Sequence, residues 1–589
     1  MTRPDPHSHL TDDQPRVRHI DWAVDVDFAA YRLDCSARIH FDRPGPAQVT
    51  LDTRALDIAS VRGPGGESVG FQLGEHDDVL GEPLTFTLPG GADQVTIAYA
   101  TSPDSTALQW VSPAQTSGGA HHFLYSQCQT IHARSMIPLH DSMSARLTYT
   151  AEVTVPEGYT ALMSATSVGS RPADAGRRTF TFSASKGMPP YLVVLLVGHV
   201  ESAVIGPRTR IWAEPDRIQA AAFEFAEVET LLKAGEALFG PHPWDNADLV
   251  VMPPSYPFGG MENPQLTYLT PTLITGDRSL VDVLSHELAH HWSGNMLTAA
   301  SMEHFWINEG FATYGERRIT ESVHGRDVSE LNAALLRVEL EADLVYFADR
   351  PEHLKLRRRL AGEDPDTTSS WVSHEKGYLF VRALEESVGR DRFDAFIRLF
   401  FERYAFSAVT TEEFLVFARR ELTESFDYEE WLYASGLPAA GPRARSVLLD
   451  QVRAVGQQAP TGEDARQWRS EQWLVYVGQL EAPKSPEFLA ELDDRFGLLT
   501  HSNLEIRWLW LLLGLRSGYA PAVDASLEFV ASVGRMRFLK PLYDELVGNP
   551  VTRERAVSCY VANRHRYHPI AVNVVKSRMS KLGIDPDHL

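Results

Sequence analysis

The stretch SHELAHHWSGNMLTAASMEHFWINEGFATYGERRI, residues 285–319, decides the fold of the central part of this chain. It contains the pattern H-E-x-x-H, formed by His286, Glu287 and His290. Residues four apart lie on one face of a helix, so both imidazoles can reach the same cation. Glu287 lies beside them, where its carboxylate can act as general base on a water molecule without being a ligand. The pattern predicts a helix that binds one zinc ion per chain.

A third ligand is expected close by, because a catalytic zinc ion takes three protein ligands and leaves one position open. The segment NEG, residues 308–310, supplies Glu309, 19 positions beyond His290. That interval accommodates a loop and a second helix, so Glu309 can face the histidines. Glu316 shares a helix face with Glu309, which predicts a hydrogen bond to a ligand imidazole. A solvated surface carboxylate is the alternative for Glu316, and a solvated surface helix is the alternative for the whole pattern.

A second carboxylate precedes this helix in PFGGMENP, residues 257–264. Gly259 and Gly260 allow the backbone to approach a ligand closely, and Glu262 follows on what we expect to be an extended edge. An enzyme that removes N-terminal residues must hold a free ammonium group, which a fixed carboxylate does. Taken alone, such a segment is a turn that carries a solvated glutamate in most proteins.

Together, GGMEN, HELAH and NEG resemble the gluzincin zinc aminopeptidases of the aminopeptidase N type, most closely the leukotriene A(4) hydrolase branch. The resemblance continues in four further segments: SQCQTIHARSMIP (126–138), HEKG (374–377), WLYASGLP (431–438) and GRMRFLKPLYDEL (534–546). It therefore spans most of the chain. It implies an N-terminal all-β saddle or sandwich, a thermolysin-like catalytic domain and a C-terminal domain of stacked helix pairs.

The resemblance also assigns roles to individual residues. It makes His286, His290 and Glu309 the zinc ligands and Glu287 the general base. The substrate-binding residues that it implies are Gln129, Gly259, Gly260, Met261, Glu262, Asn263, Arg535 and Arg537. Gln129 and Glu262 are expected on the substrate α-amine. Arg535 and Arg537 are expected on the C-terminal carboxylate of a short peptide, although the family has lysine at the second position.

One departure from the family pattern concerns the oxyanion that forms during peptide hydrolysis, which needs hydrogen-bond donors. The family places a tyrosine before E-K-G, whereas this chain has His374 in DPDTTSSWVSHEKGYLF. Three interpretations are open. His374 donates from a ring nitrogen; another hydroxyl, such as that of Tyr378, replaces it; or the protein is a slow or silent zinc binder.

The composition restricts the partners. The 589 residues carry 55 Lys+Arg and 78 Asp+Glu, a net charge of −23, which disfavours nucleic acid and anionic membranes. No stretch approaches the 18 or so apolar residues of a membrane span, and no apolar signal region follows the N-terminus. Three distant cysteines argue against a disulfide framework. We expect a cytoplasmic monomer.

The domain organisation follows from changes in hydrophobic period. Apolar and polar residues alternate at first, helical patterns begin near residue 217, and GLPAAGPRARS (436–446) is rich in proline and glycine. We predict a disordered leader (1–15), a β domain (16–205), a catalytic domain (206–436), a linker (437–446) and an α-helical domain (447–589).

These observations predict a zinc metalloprotease, a hydrolase that removes N-terminal residues from short peptides. A rival enzyme activity is epoxide hydrolysis of a lipid, which the family relative performs and for which Asp366, in DPD, matches an involved residue. A rival of another class is a non-enzymatic zinc-binding scaffold. The presence of Glu287 argues against the scaffold, because a purely structural zinc site is closed by a fourth ligand and needs no base.

Overall fold

The computed structural model describes residues 5–368 and 370–585. It has an N-terminal β-rich domain, a central catalytic domain and a C-terminal helical domain, so the predicted fold class is confirmed. Cys35, Cys128 and Cys559 are free. Within the described ranges, no helix is both long and apolar enough to cross a membrane.

Three sheets form the N-terminal domain. The largest contains eight strands, in spatial order Thr166–Ala173, Arg177–Met188, Leu147–Pro156, Val17–Asp27, Arg32–Phe41, Gln94–Thr101, Leu56–Arg62 and Ser68–Val69. The second contains Thr160–Met163, Leu195–Gly198, Phe123–Ser126 and Leu108–Val111, and the third Ala47–Leu51, Leu84–Leu88 and Phe71–Leu73. Buried residues alternate along the strands, because successive side chains point to opposite faces.

The catalytic domain begins with a five-stranded sheet, in spatial order Glu201–Val204, Arg210–Ala213, Asp248–Val251, Leu266–Leu269 and Gly260–Met261. The first of these strands lies inside the predicted β domain, 16–205. It pairs with Arg210–Ala213, so the change of sheet falls between Gly198 and Glu201. The strand Gly260–Met261, at the edge of this sheet, lies next to the helix Val281–Ala289 and is part of the GGMEN segment.

The helices of the catalytic domain are Ile218–Glu224, Val228–Phe239, Val281–Ala289, Trp306–His324, Arg326–Tyr346, Gly377–Val388, Arg390–Arg403, Thr411–Glu421 and Tyr428–Tyr433. We name Val281–Ala289 the HELAH helix and Trp306–His324 the NEG helix. A two-stranded sheet, Leu297–Ala299 with Ser407–Val409, lies beside them.

The C-terminal domain follows residues 434–446, which form no helix or strand where the linker was predicted. Its helices are Val447–Val455, Gly462–Ala465, Ser470–Gln479, Pro486–Phe496, Leu504–Arg516, Ala520–Ser532, Met536–Gly548, Arg553–Asn563 and Pro569–Lys581. Two apolar clusters hold these helices together, one centred on Trp510 and one on Phe538.

The expectation of a disordered leader is wrong for residues 5–15, while residues 1–4 lie outside the described ranges. Ser8 Oγ and both the backbone and Nδ1 nitrogens of His9 bind the buried Asp52 carboxylate at 2.6–2.9 Å. Arg134 donates to the His7 carbonyl at 2.6 Å, and His7 Nε2 lies 3.0 Å from the Glu363 carbonyl oxygen. The polar residues of the leader thus bind partners in both the N-terminal domain and the catalytic domain.

Asp52 offers a test of this packing. Burial opposes ionisation of its carboxylate, but Arg134 and the leader hydrogen bonds outweigh burial and hold its pKa well below the usual value. We expect Asp52→Ala to lower the free energy of unfolding in urea at pH 7 by about 3–5 kcal/mol, because a buried cation loses a partner. The exposed Asp57→Ala is the control.

The sign of the pH dependence follows from the depressed pKa. Stabilisation by Asp52 is complete above its unfolded pKa of about 3.9 and is lost as the pH falls further. The difference in unfolding free energy between the wild type and Asp52→Ala should therefore shrink below about pH 4. Equal stabilities at pH 7 would contradict the assigned contacts.

Candidate active site

The HELAH helix and the NEG helix bring three ligand-type side chains together. The Nε2 atoms of His286 and His290 lie 3.1 Å apart, and Glu309 Oε2 lies 3.5 and 3.4 Å from them. Tetrahedral coordination at about 2.0–2.1 Å places neighbouring ligand atoms about 3.3 Å apart. Among the described residues, these three form the one group of histidine, cysteine and acidic side chains with metal-site spacing.

The chemistry of these donors fits zinc. Glu309 Oε2 is buried and accepts no well-aligned hydrogen bond, although imidazole nitrogens approach it from several sides. Two neutral imidazoles and one carboxylate are the usual donors of a catalytic zinc ion. Three protein ligands leave the fourth position open.

Hydrogen bonds to the far sides of the imidazoles fix their orientation. His286 Nδ1 lies 3.2 Å from Glu316 Oε2, and His290 Nδ1 donates to the Ser293 carbonyl at 2.8 Å. These bonds leave the Nε2 lone pairs free to face the cluster. The structure thus brings Glu316 to the place where the sequence expected it, and Glu316 in turn contacts Arg317, which binds Glu375 at 3.0 Å.

Glu287 lies in the same pocket, next to the Gly260 backbone. A Cβ added at Gly260 would lie 2.3 Å from Glu287 Oε1, so any other residue there would require the Glu287 side chain to move. Burial raises the pKa of Glu287 well above its usual value, and the neighbouring carboxylates of Glu262 and Glu309 add to the effect. A carboxylate with a raised pKa can both accept and return a proton near neutral pH.

Glu262 and Gln129 approach each other from two domains. Gln129 Nε2 donates to Glu262 Oε1 at 3.3 Å, and Glu262 is buried at the sheet edge that faces the HELAH helix. Burial raises the pKa of Glu262, and the charge of Glu309 contributes. Of the other predicted residues in this segment, Met261 accepts from Gln127, while both amide atoms of the buried Asn263 have no hydrogen-bond partner.

His374 lies beside the three ligands on a π-helical turn, Val372–Lys376. Its Nε2 is 3.0 Å from Glu309 Oε2, and its Nδ1 donates to the Ser370 carbonyl at 3.3 Å. Burial opposes protonation, but Glu309 outweighs it and raises the pKa of His374. The Nε2 atom of His374 therefore faces the ligand cluster.

A backbone contact fixes this turn against the NEG helix. A Cβ at Gly310 would lie 2.9 Å from Gly377, and a Cβ at Gly377 would lie 2.8 Å from Gly310. The two glycines let the NEG and EKG segments approach more closely than any other residue type would allow. This contact brings His374 next to Glu309.

The structure places Tyr378 elsewhere. Its hydroxyl binds Arg382 at 2.9 Å and its ring lies over Arg317, so it does not replace His374 at the ligand cluster. Asp366, the residue of the epoxide alternative, accepts from Thr130 Oγ1 at 2.7 Å and lies 2.8 Å from His132 Nε2. Asp366 therefore contacts the SQCQTIHARSMIP segment, 126–138, which also contains Gln129.

Arg535 and Arg537 lie at the boundary between the catalytic and C-terminal domains. Arg535 is buried, binds Glu505 at 2.7 Å and lies 3.2 Å from where a Cβ of Gly259 would be. Arg537 binds Glu505 at 3.2 Å and Glu339 at 2.9 Å. The Arg535 guanidinium is thus near the GGMEN segment, and both arginines already have carboxylate partners, which the sequence did not predict.

Comparison with known proteins agrees with this geometry. Residues 16–192 match the peptidase M1 N-terminal domain, residues 223–428 the peptidase family M1 domain, and residues 468–579 the C-terminal domain of leukotriene A4 hydrolase. Leukotriene A-4 hydrolase of Xenopus laevis is 34% identical over 97% of this chain and 98% of its own. Leucine aminopeptidase 2 of Yarrowia lipolytica is 34% identical over 90% of this chain and 86% of its own.

Solved structures show the same architecture. Yeast LTA4 hydrolase in complex with bestatin superposes with a TM-score of 0.90 at 29% identity, covering 98% of this chain and 97% of that one. An M1 zinc metallopeptidase from Deinococcus radiodurans has a TM-score of 0.58 at 23% identity over 74% of this chain and 97% of that one, which supports the fold alone.

The chain therefore belongs to the peptidase M1 family of gluzincin metallopeptidases and is a peptide-bond hydrolase with zinc as its cofactor. Within that family its residues 468–579 match the C-terminal domain of leukotriene A4 hydrolase, the branch that the sequence resemblance indicated. The predicted family, enzyme class and cofactor are confirmed.

The close approach of Gly260 to Glu287 provides a test of the site geometry. We expect Gly260→Ala to displace the Glu287 carboxylate and to lower kcat by about 10²-fold or more, since small misplacements of a reacting group cost that much. Zinc content, measured by atomic absorption, should not change. Gly436→Ala, whose Cβ meets open space, is the control. Full activity in Gly260→Ala would show that the GGMEN segment moves to make room for the methyl group, and that its contact with Glu287 does not fix the carboxylate.

Proposed function

We propose that this protein is a zinc-dependent aminopeptidase that removes one residue at a time from the N-terminus of peptides. The observation that carries the proposal is the position of Glu262 and Gln129 beside a three-ligand cluster. A buried carboxylate with a carboxamide next to it suits an ammonium group, which an endopeptidase has no need to hold. The Yarrowia relative, named leucine aminopeptidase 2, supports the same activity.

In this proposal His286, His290 and Glu309 hold the zinc ion, which supplies a Lewis acid for the attacking water and the scissile carbonyl when bound. Glu287 accepts the proton of the attacking water and then donates it to the leaving amine. Glu262 and Gln129 hold the substrate α-amine. His374 donates from Nε2 to the oxygen on which negative charge develops, the role that tyrosine has in the resembling family.

The finer predictions extend this proposal. We propose short peptides as substrates, with Arg535 and Arg537 near the C-terminal carboxylate. The cytoplasmic location, the monomeric state and the absence of nucleic-acid and membrane partners stay predictions. Epoxide hydrolysis of a lipid remains the alternative activity, because two of the similar proteins are named LTA4 hydrolases. Assays with a lipid epoxide and with aminoacyl amides distinguish the two activities. The scaffold alternative is incompatible with a peptide-bond hydrolase.

Replacing the general base tests the mechanism. We expect Glu287→Gln to lower kcat on aminoacyl amides by about 10²–10⁴-fold, because proton transfer by a positioned side chain contributes that much. KM and zinc content should change little. Glu341→Gln, on an exposed helix face, is the control. Turnover that survives Glu287→Gln would contradict the aminopeptidase mechanism.

A pair of substitutions tests His374. We expect His374→Ala to lower kcat by about 10²–10³-fold with little change in KM, since one oxyanion donor is worth that much. His374→Tyr supplies a hydroxyl donor and should retain most of the activity. If kcat is unchanged in both variants, His374 has no part in the reaction.

A further inference from the structure

Residues 293–295, Ser293, Gly294 and Asn295, connect the three motifs of the site, and we call them the SGN segment. We propose that the SGN segment fixes the distance between the amine-binding carboxylate of Glu262 and the zinc ligands, with Asn295 as the positioning residue. The inference rests on the proposed function, because it assumes that Glu262 holds the substrate amine.

One side of the SGN segment binds the zinc-ligand helices. The Ser293 carbonyl accepts from His290 Nδ1 at 2.8 Å. Ser293 Oγ lies 2.9 Å from the carbonyl oxygens of both Ile307 and Asn308, the two residues that precede Glu309. A single residue thus contacts one imidazole ligand and the first turn of the NEG helix.

The other side of the SGN segment binds the amine-binding segment. Asn295 Nδ2 donates to the Glu262 carbonyl at 2.6 Å, and the Asn295 backbone nitrogen donates to the His290 carbonyl at 3.1 Å. Asn295 is fully buried, and its Oδ1 has no hydrogen-bond partner. The hydrogen bond to the Glu262 carbonyl is therefore the contribution of the Asn295 side chain to this contact.

Gly294 makes the sharp turn between the two sides possible. Its φ of +106° lies in the region that favours glycine, and an added Cβ would lie 3.0 Å from His290 Nδ1. Arg146 holds the same turn through the Asn295 carbonyl at 2.6 Å. The segment is thus a short, buried and hydrogen-bonded spacer.

The spacer matters because the distance between Glu262 and the ligands decides which bond is cleaved. The carboxylate of Glu262 has Gln129 as its side-chain contact at 3.3 Å, so its position depends mainly on the backbone that Asn295 holds. A substrate whose amine is held one residue from the metal loses a single residue per cycle. Loosening that backbone weakens recognition of the amine without disturbing the metal ligands.

The test uses Asn295→Leu, which keeps the branching and the number of heavy atoms of the side chain and removes one hydrogen bond. The measured quantity is the ratio of kcat/KM for a peptide with a free N-terminus to that for its des-amino analogue. We expect this ratio to fall about tenfold, because KM for the peptide with a free N-terminus rises. A tenfold change corresponds to the loss of one hydrogen bond. Zinc affinity, measured by chelator competition, should stay within about twofold of the wild type.

Ser293→Ala is the matched variant on the metal side. Ser293→Ala keeps the backbone carbonyl that accepts from His290 and removes the Oγ contact with the two carbonyls that precede Glu309. We expect it to lower zinc affinity by about tenfold by loosening the position of Glu309, and to leave the amine ratio unchanged in the zinc-saturated enzyme. Opposite patterns in the two variants support the inference. The same pattern in both, or an unchanged amine ratio in Asn295→Leu, overturns it. If Asn295→Leu does not fold, Asn295→Ser carries the same expectation.

Glu262→Gln, measured in parallel, separates this inference from the proposed function. If Glu262→Gln lowers the amine ratio and Asn295→Leu does not, the positioning role is wrong and the proposed function stands. If Glu262→Gln leaves the ratio unchanged, Glu262 does not hold the amine, and the proposed function and the inference both fail.

Discussion

The burial of three carboxylates in one pocket is the constraint on which the site depends. Glu262, Glu287 and Glu309 are all buried, and besides burial the charge of Glu309 raises the pKa of both Glu262 and Glu287. Unpaired charges of one sign are costly away from water, so the pocket needs cations. A divalent ion and a substrate ammonium group are the two cations that the donor geometry suits. The same repulsion that makes the pocket costly favours zinc and, in the proposed function, the substrate ammonium group.

Close backbone contacts hold these charges in place. Gly260 lets the sheet edge reach Glu287, and Gly310 with Gly377 brings the turn that carries His374 against the NEG helix. The SGN segment then joins the helices to the sheet edge through hydrogen bonds. Each contact depends on a glycine or on a short hydrogen-bonded segment, so the precision of the site comes from backbone packing as much as from the ligands.

The sequence predicted the periodic and local features, and missed those that depend on distant partners. Alternation located strands such as Arg32–Phe41, and helical spacing together with NEG located the metal ligands, because both signals lie within short stretches. The leader was misread because Asp52 and Arg134, which bind it, lie far along the chain. Asn295 gave no signal of its own, since a single asparagine after a helix is typical of an ordinary turn.

The π-helical turn before Gly377 has one further consequence. The Gly377 amide bonds to the Val372 carbonyl, five residues back instead of four, so this turn holds one residue more than a regular helix. One residue of an α-helix corresponds to a rotation of about 100°. The extra residue therefore rotates the position of His374 about the helix axis. The direction in which the His374 ring points is thus set separately from the glycine contact that anchors the helix. Deleting one residue from this turn would restore the regular phase and swing the imidazole away from the metal ligands, with no ligand altered.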